Sequence, residues 1–522
     1  MGIDRQIVGA DLATVLPQDN ARWWTKSHLV KLNLMLFSAI LFSGTVGYDN
    51  SMMNGLQALP QWKEFMHEPK GAYLGLVNAT QALGAIFGYP CMAVLANKYG
   101  RKRPIYVGCF VLAFGTALQT TAQNREMFIA SRAFIGLASG FFGSVPILIT
   151  EAAYPTHRGK MTASYNTFYY VGSLLAAWAT FGTRNYDNSW AWRVPSLLQV
   201  AFPGVCIWGV LLCPESPRWL IAAGRVEDAR SVLIKYHAGG DEHSPLVTFE
   251  MAEIEQAIQM GRHNTKSTSY ADMFKTNGNR HRLFISVSIG VFGQWNGVGV
   301  VSYYLAAVLQ TVGITSVTQQ TLISGFLQLF NLTVAVWAAT LVDRVGRRVL
   351  WMTSGLGMLV SYIIITGLSG SFDTTKLKGT GLAVIPMLFI FYGFYDIAFT
   401  PLLVSYPAEI WQYELRSRGV AVVQSSTFAA LFFNLFVNPI ALDSIGWKYY
   451  IVYIVILIVL CVTIWFAYPE TRGMSLEEIA KVFDGDDAAL QQGVILSAVE
   501  ENMAANGVGK DVEHMDEKQC NN

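Results

Sequence analysis

The chain has 522 residues, of which 52% are hydrophobic and only 14% are charged, and its mean hydropathy is +0.34. Soluble domains carry roughly 25% charged residues, so this composition indicates a polytopic helical membrane protein and argues against a soluble enzyme. The net charge of +1 gives no field that would attract nucleic acid. The six cysteines form no CxxC pair, so we expect neither disulfides nor a metal site.

Twelve nearly uncharged stretches follow one another along the chain, each about as long as the roughly 20 residues that a membrane-spanning helix needs. A polar segment at 214–279 divides them six and six, and its amphipathic sequence predicts short surface helices. The predicted spans are 31–53, 72–96, 104–122, 127–150, 161–182, 194–213, 282–309, 318–342, 348–369, 381–405, 418–440 and 446–467.

The distribution of lysine and arginine sets the orientation of these spans. With both termini inside, the segments assigned to the cytoplasm hold most of the basic residues, as the positive-inside rule requires. We therefore predict an all-α membrane protein with a cytoplasmic tail at 1–30, a six-helix half at 31–213, a cytoplasmic helical linker at 214–279, a second six-helix half at 280–467 and a cytoplasmic tail at 468–522.

The two halves repeat one another in sequence, and the matching motifs occur in the same order. This pattern predicts two six-helix units in parallel repeat, which place a substrate site near mid-membrane between the halves. No GxxxxGK[ST] phosphate loop is present, so transport would draw on a gradient. The pairs are "ANKYGRKRP" (96–104) with "VDRVGRRVL" (342–350), "TEAAYPTHRG" (150–159) with "PAEIWQYELRSRG" (407–419), and "PESPRWL" (214–220) with "PETRGMSL" (469–476).

An acid and a base inside predicted spans can form a pair. Asp49 lies in the first span, within "GTVGYDNSMMNG", and Arg132 is the only basic residue that we place within a span. A carboxylate inside a membrane is costly and points to function. Protonation of Asp49 would break its pair with Arg132 and so link proton binding to conformation. Alternatively, Asp49 lies near the outer end of its helix, where water reaches it.

Amides and hydroxyls interrupt the apolar stretch "GQWNGVGVVSYYLAAVL" at 293–309. Each of them is costly in hydrocarbon if it stays unpaired. Sugar hydroxyls both donate and accept hydrogen bonds, as Asn and Gln side chains do, so a sugar would suit these groups. Alternatively, such amides clamp one helix to another, which contributes about 0.6 kcal/mol each.

Over about residues 30–480, the chain resembles the sugar porters of the major facilitator superfamily. "GRK", "GRR", "PESPRWL", "PETRG" and the Gln-x-x-Gly…Tyr-Tyr pattern of the seventh span carry the resemblance. "GQWNGVGVVSYYL" and "FTPLLVSYPAEIW" are most similar to the fungal lactose and cellobiose (cellodextrin) permeases. The resemblance implies sugar-binding side chains at Gln294, Asn331, Asn166, Thr427, Gln424 and Tyr303.

The chain departs from the hexose porters at three positions that line the pocket in that group. Gly293 replaces a glutamine, Gly299 an asparagine and Val404 a tryptophan. Three losses of bulk predict a wider cavity, which would suit a disaccharide. Alternatively, bulky neighbours such as Trp295 or Tyr406 compensate for the loss.

The resemblance also implies roles for charged residues. Proton-coupled members carry an aspartate at the place of Asp49, and an acid at the place of Asp396 usually serves an inner gate. Members of the family usually carry an aspartate in the loop of the first half where this chain has Asn97. The salt bridges that hold the cytoplasmic helix ends together would then be weaker in the first half than in the second. The predicted gating network of salt bridges comprises Glu151, Arg158, Arg101, Glu409, Arg416, Asp343, Arg347, Glu215, Glu470 and Asp396.

We therefore predict a proton-coupled importer of a disaccharide such as lactose or cellobiose. It would act in the plasma membrane as a monomer, without cofactor or metal. Two alternatives stay open at this point. One is a facilitative or proton-coupled porter of a monosaccharide or polyol, and the other is a transporter-like sugar sensor. A membrane enzyme is not expected, because no catalytic motif such as H-E-x-x-H or G-x-S-x-G occurs.

Overall fold

The structure is a computed structural model, and it describes residues 15–17, 22–267, 269–412, 415–472, 479 and 481–484. Most of the two predicted tails lies outside these residues. Within the described part of the chain, twelve membrane-spanning helices in two six-helix halves confirm the predicted fold class. We call the end of the molecule that carries the linker the linker side, and the opposite end the far side.

The first half contains the spans α1 to α6, and three of these are interrupted by a short break. Their bounds are α1 (Ser27–Leu41 and Ser43–Leu56), α2 (Gly71–Tyr99), α3 (Lys102–Thr120), α4 (Arg125–Phe141 and Ser144–Ala152), α5 (Pro155–Thr167 and Tyr169–Thr183) and α6 (Trp190–Leu212).

The second half contains the spans α7 to α12, of which α7 is broken near its middle. Their bounds are α7 (Asn277–Trp295 and Val298–Thr311), α8 (Val317–Val345), α9 (Arg347–Thr375), α10 (Lys378–Ile410), α11 (Arg416–Ile445) and α12 (Tyr450–Ala467). These helices extend beyond the predicted spans at most ends, because the apolar stretches omit the polar turns that enter and leave the membrane.

Length and apolarity alone identify nine candidate membrane helices among the described residues, and the longest of them, 418–467, covers most of α11 and all of α12. The spans α3 and α5 are not among them. Lys102 and Arg103 lower the hydropathy of α3 at its start, and the first part of α5 is the polar sequence "PTHRGKMTASYNT". Both spans nevertheless pack against other spans of the first half. Contacts with these neighbours, rather than high apolarity, therefore identify them as spans.

The linker forms the short helices Pro217–Ala222 and Val226–Tyr236 and the longer helix Pro245–Ser267 against the first half. The Trp219 indole Nε1 donates to the backbone oxygen of Asn97 at 2.9 Å. His237 contacts Glu250 through Nδ1 at 2.7 Å and lies 3.4 Å from the Ala152 carbonyl oxygen through Nε2. These contacts fix the linker to the ends of α2 and α4.

Glycines let the spans of the first half approach closely. A Cβ at Gly172 of α5 would lie 1.7 Å from the backbone oxygen of Gly44 in α1. A Cβ at Gly136 of α4 would lie 1.9 Å from the backbone oxygen of Gln81 in α2. Small residues at membrane-helix contacts permit such backbone approach, and these contacts hold α1, α2, α4 and α5 together around the buried charges described below.

The break in α7 explains several polar residues of this span. Gly297 adopts the left-handed conformation with φ of 96°, and the Asn296 side-chain oxygen accepts the N–H of Val298 at 2.9 Å. The Tyr362 hydroxyl donates to the Gly297 carbonyl oxygen at 3.1 Å. The N–H of Leu305 donates to the Asn54 side-chain oxygen of α1 at 2.9 Å, so the second part of α7 is attached to the first half on the far side.

Candidate functional site

The predicted pair between Asp49 and Arg132 forms in the interior of the first half. The Arg132 Nη1 donates to Asp49 Oδ1, and both side chains are only 1% exposed. The alternative, in which water reaches Asp49 at the end of α1, is therefore wrong. Asp49 Oδ2 and Arg132 Nε have no partner among the described residues, so the pair retains unused hydrogen-bonding capacity.

Two glutamines that the sequence did not single out complete this pair. Gln199 of α6 donates through Nε2 to Asp49 Oδ1 at 2.9 Å, and Arg132 Nη2 donates to Gln81 Oε1 of α2 at 2.7 Å. Four spans therefore meet at one ion pair. The available signal was a lone glutamine inside each apolar span, in "NATQALG" and "LLQVAF", and it does not indicate which partner the amide contacts.

Asn331 of α8 is the strongest candidate for binding a polar substrate. Its side chain is fully buried, and neither its Nδ2 nor its Oδ1 has a partner among the described residues. A buried amide without partners is costly. A ligand that donates and accepts hydrogen bonds would remove this cost, whereas the alternative of a clamp between helices requires a protein partner.

Gln294 and Asn166 also keep their amides free of described protein partners. Gln294 is half-buried, and its contact to α11 uses the backbone, because Asn434 Nδ2 donates to the Gln294 carbonyl oxygen at 2.8 Å. Asn166 is exposed and lies two residues before the break at Phe168 in α5. No described hydrogen bond joins the side chains of Asn166, Gln294 and Asn331.

The three remaining candidates differ in how free they are to bind. Thr427 is buried and donates its hydroxyl to the Val423 carbonyl oxygen of its own helix at 2.8 Å, which leaves it only as an acceptor. Gln424 is half-buried, and among the described residues its amide has no hydrogen bond. Tyr303 is partly buried against α11, and its carbonyl oxygen accepts Gln57 Nε2 of α1 at 2.9 Å.

The interpretation that Gly293 and Gly299 widen the cavity is wrong. A Cβ at Gly299 would lie 2.0 Å from Asn434 Nδ2, and one at Gly293 would lie 2.9 Å from the Leu403 side chain. Neighbouring side chains fill both spaces, as the alternative anticipated, although they are not the expected Trp295 and Tyr406. The side chain of Val404, the third position, lies outside the described part of the structure.

On the linker side, Arg101 of the first half joins two glutamates. Its Nε donates to Glu151 Oε2 at 2.9 Å, and its backbone N–H donates to Glu215 Oε1 at 2.9 Å. The Ser216 hydroxyl donates to Glu151 Oε2 at 2.5 Å. This cluster connects the start of α3, the end of α4 and the start of the linker.

The second half repeats this cluster atom for atom. Arg347 Nε donates to Glu409 Oε2 at 3.2 Å, its N–H donates to Glu470 Oε1 at 2.9 Å, and the Thr471 hydroxyl donates to Glu409 Oε2 at 2.8 Å. Gly346 has a φ of 105° and its counterpart Gly100 has a φ of 101°. The predicted parallel repeat therefore extends to side-chain chemistry.

The carboxylate of Glu470 is held ionised by the backbone. Its burial raises the pKa, but the N–H groups of Arg347, Arg472, Arg348 and Thr471 together outweigh burial and lower the pKa below its usual value. Because a lowered pKa keeps the group charged, this cluster is an ionic contact at neutral pH.

Two arginines of the predicted network do not pair with a described carboxylate, and the side chain of one aspartate is not among those described. Arg416 donates through Nε to the Trp411 carbonyl oxygen at 3.4 Å rather than to a described carboxylate. Arg158 has a buried Nε without a partner among the described residues and forms no described ion pair. The side chain of Asp343 lies outside the described residues.

Asp396 does not belong to the linker-side clusters, so its assignment to that salt-bridge network is also wrong. It is fully buried, and its Oδ1 accepts the Tyr170 hydroxyl of α5 at 2.6 Å and the Thr400 hydroxyl at 2.7 Å. A hydrogen bond between the two halves replaces the expected ionic contact. No arginine or lysine of the described residues pairs with Asp396.

The difference between Asn97 and Asp343 gives a testable asymmetry. Asn97 Oδ1 already accepts Arg101 Nη1 at 3.1 Å, and an exposed ion pair between residues four positions apart adds only about 0.3–0.5 kcal/mol. We therefore expect Asn97→Asp to leave initial uptake within about twofold of the wild type. We expect Asp343→Asn, which removes an acid four residues before Arg347, to reduce uptake several-fold at matched surface expression. Equal uptake by wild type and Asp343→Asn would contradict this.

The fold and the paired clusters define a transporter of the major facilitator superfamily. Residues 35–483 match the family described as "Sugar (and other) transporter", and the chain belongs to this family. The MFS-type transporter oryC of Aspergillus oryzae is 30% identical over 455 residues, which cover 85% of this chain and 83% of that protein.

Other relatives are similar over comparable lengths. The high-affinity glucose transporter 1 of Candida albicans is 26% identical over 457 residues, which cover 84% of this chain and 83% of that protein. The inward-open conformation of the xylose transporter XylE from E. coli shares the fold, with a TM-score of 0.71 and 22% identity, over 87% of this chain and all of that one.

Proposed function

We propose that the protein imports a sugar together with protons by alternating access. It would act as a monomer in the plasma membrane, with its linker and termini in the cytoplasm. This proposal rests on the buried ion pair of Asp49 and Arg132. The Asp49 side chain lies within a membrane span and is only 1% exposed, and it forms the ion pair only when its carboxyl group has lost its proton. A solved structure of the same fold is that of a proton:xylose symporter, which supports the coupling ion.

Proton binding and sugar binding are coupled through the rearrangement of the two halves. Protonation of Asp49 removes its charge, and Arg132 then keeps only Gln81 as a strong partner in the pair. Loss of the ion pair loosens the contact between α1 and α4 and biases the halves toward the other state. Asn331 and Gln294 bind the sugar hydroxyls between the halves, and the two glutamate–arginine clusters hold the helix ends on the linker side.

We propose a monosaccharide as the substrate. Asn434 and Leu403 fill the space beside Gly299 and Gly293, which favours a pocket of hexose size. Several relatives are named glucose transporters, and this supports the same choice. A disaccharide such as lactose or cellobiose is the second candidate, because Val404 stands where hexose porters carry a tryptophan.

Uptake of labelled sugars into cells that lack their own carriers tests both statements. Glucose, xylose, lactose and cellobiose are compared in acidic and in mildly alkaline medium, with and without a protonophore. We expect accumulation of glucose or xylose that acid favours and the protonophore abolishes. Accumulation of a disaccharide alone would overturn the proposal of a monosaccharide substrate. Uptake that is insensitive to the protonophore would overturn the proposed coupling to protons.

A further inference from the structure

A second carboxyl group lies inside the membrane, at the contact between the two halves. Asp396 of α10 is fully buried, and Tyr170 of α5 donates to its Oδ1 at 2.6 Å. Thr400, one turn further along α10, donates to the same oxygen at 2.7 Å. The other oxygen, Oδ2, is buried and has no partner among the described residues.

Among the side chains that the structure describes, the surroundings of Asp396 contain no cation that could balance its charge. The titratable groups facing it are the phenols of Tyr170 from α5 and of Tyr392 and Tyr395 from α10 itself. Among the described side chains of α5, α7, α8, α9 and α11, no lysine, arginine, histidine or acid faces it. Asp49 differs, because Arg132 balances its charge.

An ionised carboxylate without a counter-charge is unfavourable inside a membrane, and the usual response is to bind a proton. The two hydroxyl donors act on one oxygen only, so the second oxygen is free to carry the proton. Alternatively, Asp396 stays protonated throughout transport and only holds α10 against α5. The two hypotheses differ in whether Asp396 releases its proton during transport.

The position of Asp396 favours the hypothesis that it releases its proton during transport. Its partner Tyr170 belongs to the opposite half, so the contact changes when the halves move relative to each other. Both helices are weakened nearby. The helical bonding of α5 is interrupted at Phe168, two residues before Tyr170, and Pro401 lies within α10, five residues after Asp396. Proline removes one backbone hydrogen bond from a helix.

We propose that Asp396 is a second proton-binding site, distinct from Asp49, that holds its proton while Tyr170 contacts it and releases the proton to water when the halves separate there. The O–H bond at Oδ2 breaks, the proton passes to water in the opened cavity, and the carboxylate is left hydrated. This inference rests on the proposed proton-coupled transport and extends it to two protons for each sugar.

The number of coupled protons is measured on purified full-length protein in vesicles with the membrane potential clamped to zero. A proton gradient is imposed, and the gradient of labelled glucose at which net flux stops is recorded, with cellobiose as the probe if uptake selects the disaccharide. At a tenfold proton gradient, two protons hold a sugar gradient of about 100-fold and one proton holds about tenfold.

We expect about 100-fold for the wild type and about tenfold for Asp396→Asn. Asparagine keeps an acceptor for Tyr170 and Thr400 but cannot take up a proton. If Asp396 only held α10 against α5, the number of coupled protons would be the same in Asp396→Asn and in the wild type. Asp373→Asn, at a carboxylate near the end of α9 that pairs with Lys376, is the matched control and should stay at about 100-fold.

A wild-type sugar gradient of only about tenfold overturns the second site, whether or not Asp396→Asn folds. Equal gradients in the wild type and Asp396→Asn overturn it as well. A wild type that holds no sugar gradient at all is a different result, because it overturns the proposed coupling itself rather than the number of protons.

Discussion

Replacing Asp49 with asparagine is expected to reduce proton-driven accumulation of sugar to the level that one proton supports, while exchange of sugar across the membrane continues. At a tenfold proton gradient and zero membrane potential, the gradient of the labelled sugar should fall from about 100-fold to about tenfold, because the proton site proposed at Asp396 remains. Counterflow of labelled against unlabelled sugar should remain measurable, because the side chains proposed to bind the sugar are not altered.

The geometry of the pair explains this expectation. Asparagine keeps an oxygen for Arg132 and for Gln199, which donates at 2.9 Å, but it cannot bind or release a proton. The buried guanidinium then loses its counter-charge, and breaking such a pair costs roughly 3–5 kcal/mol. Thermal unfolding of the purified variant therefore has to be measured beside transport, so that loss of protein is distinguished from loss of coupling.

The double variant Asp49→Asn with Arg132→Gln is the control for this charge imbalance. It removes both charges, so the protein should regain part of the stability that the single variant loses and still hold a sugar gradient of only about tenfold. A sugar gradient of about 100-fold held by Asp49→Asn, as by the wild type, would show that Asp49 is not a coupling carboxylate.

The membrane helices and the repeat could be predicted because they depend on local composition and on motifs. Asp49 and Arg132 could be predicted for a similar reason, since hydrocarbon leaves two buried opposite charges few options other than each other. The duplicated clusters around Arg101 and Arg347 were visible as matching sequence. In each case the physical constraint acts on the residue type itself.

The partners of neutral polar residues could not be predicted in this way. Asn296 and Asn331 are both asparagines inside an apolar span, yet Asn296 caps the second part of α7 and Asn331 has no described partner. The difference arises from the neighbouring helices. Likewise, the missing side chain at Gly299 suggested free space, but Asn434, 135 positions further along, occupies it.

Replacing Asn331 with leucine is expected to stabilise the protein and to weaken sugar binding at the same time. Leucine has the same branching and the same number of non-hydrogen atoms as asparagine. Both polar atoms of Asn331 are buried without a described partner, and such a group costs about 1–3 kcal/mol. Its removal should therefore raise the free energy of unfolding by an amount of this order.

The same substitution removes two hydrogen bonds to the sugar, each of about 1 kcal/mol, so the KM for uptake should rise roughly 30-fold. Thr333→Val is the matched control, because the exposed Thr333 hydroxyl donates to the Leu329 carbonyl oxygen of its own helix at 2.9 Å and to no other described residue. It should change neither KM nor stability. If Asn331 instead clamped two helices, Asn331→Leu would lower the unfolding temperature together with transport. Opposite changes in stability and KM can arise only if the amide binds the transported molecule rather than the protein.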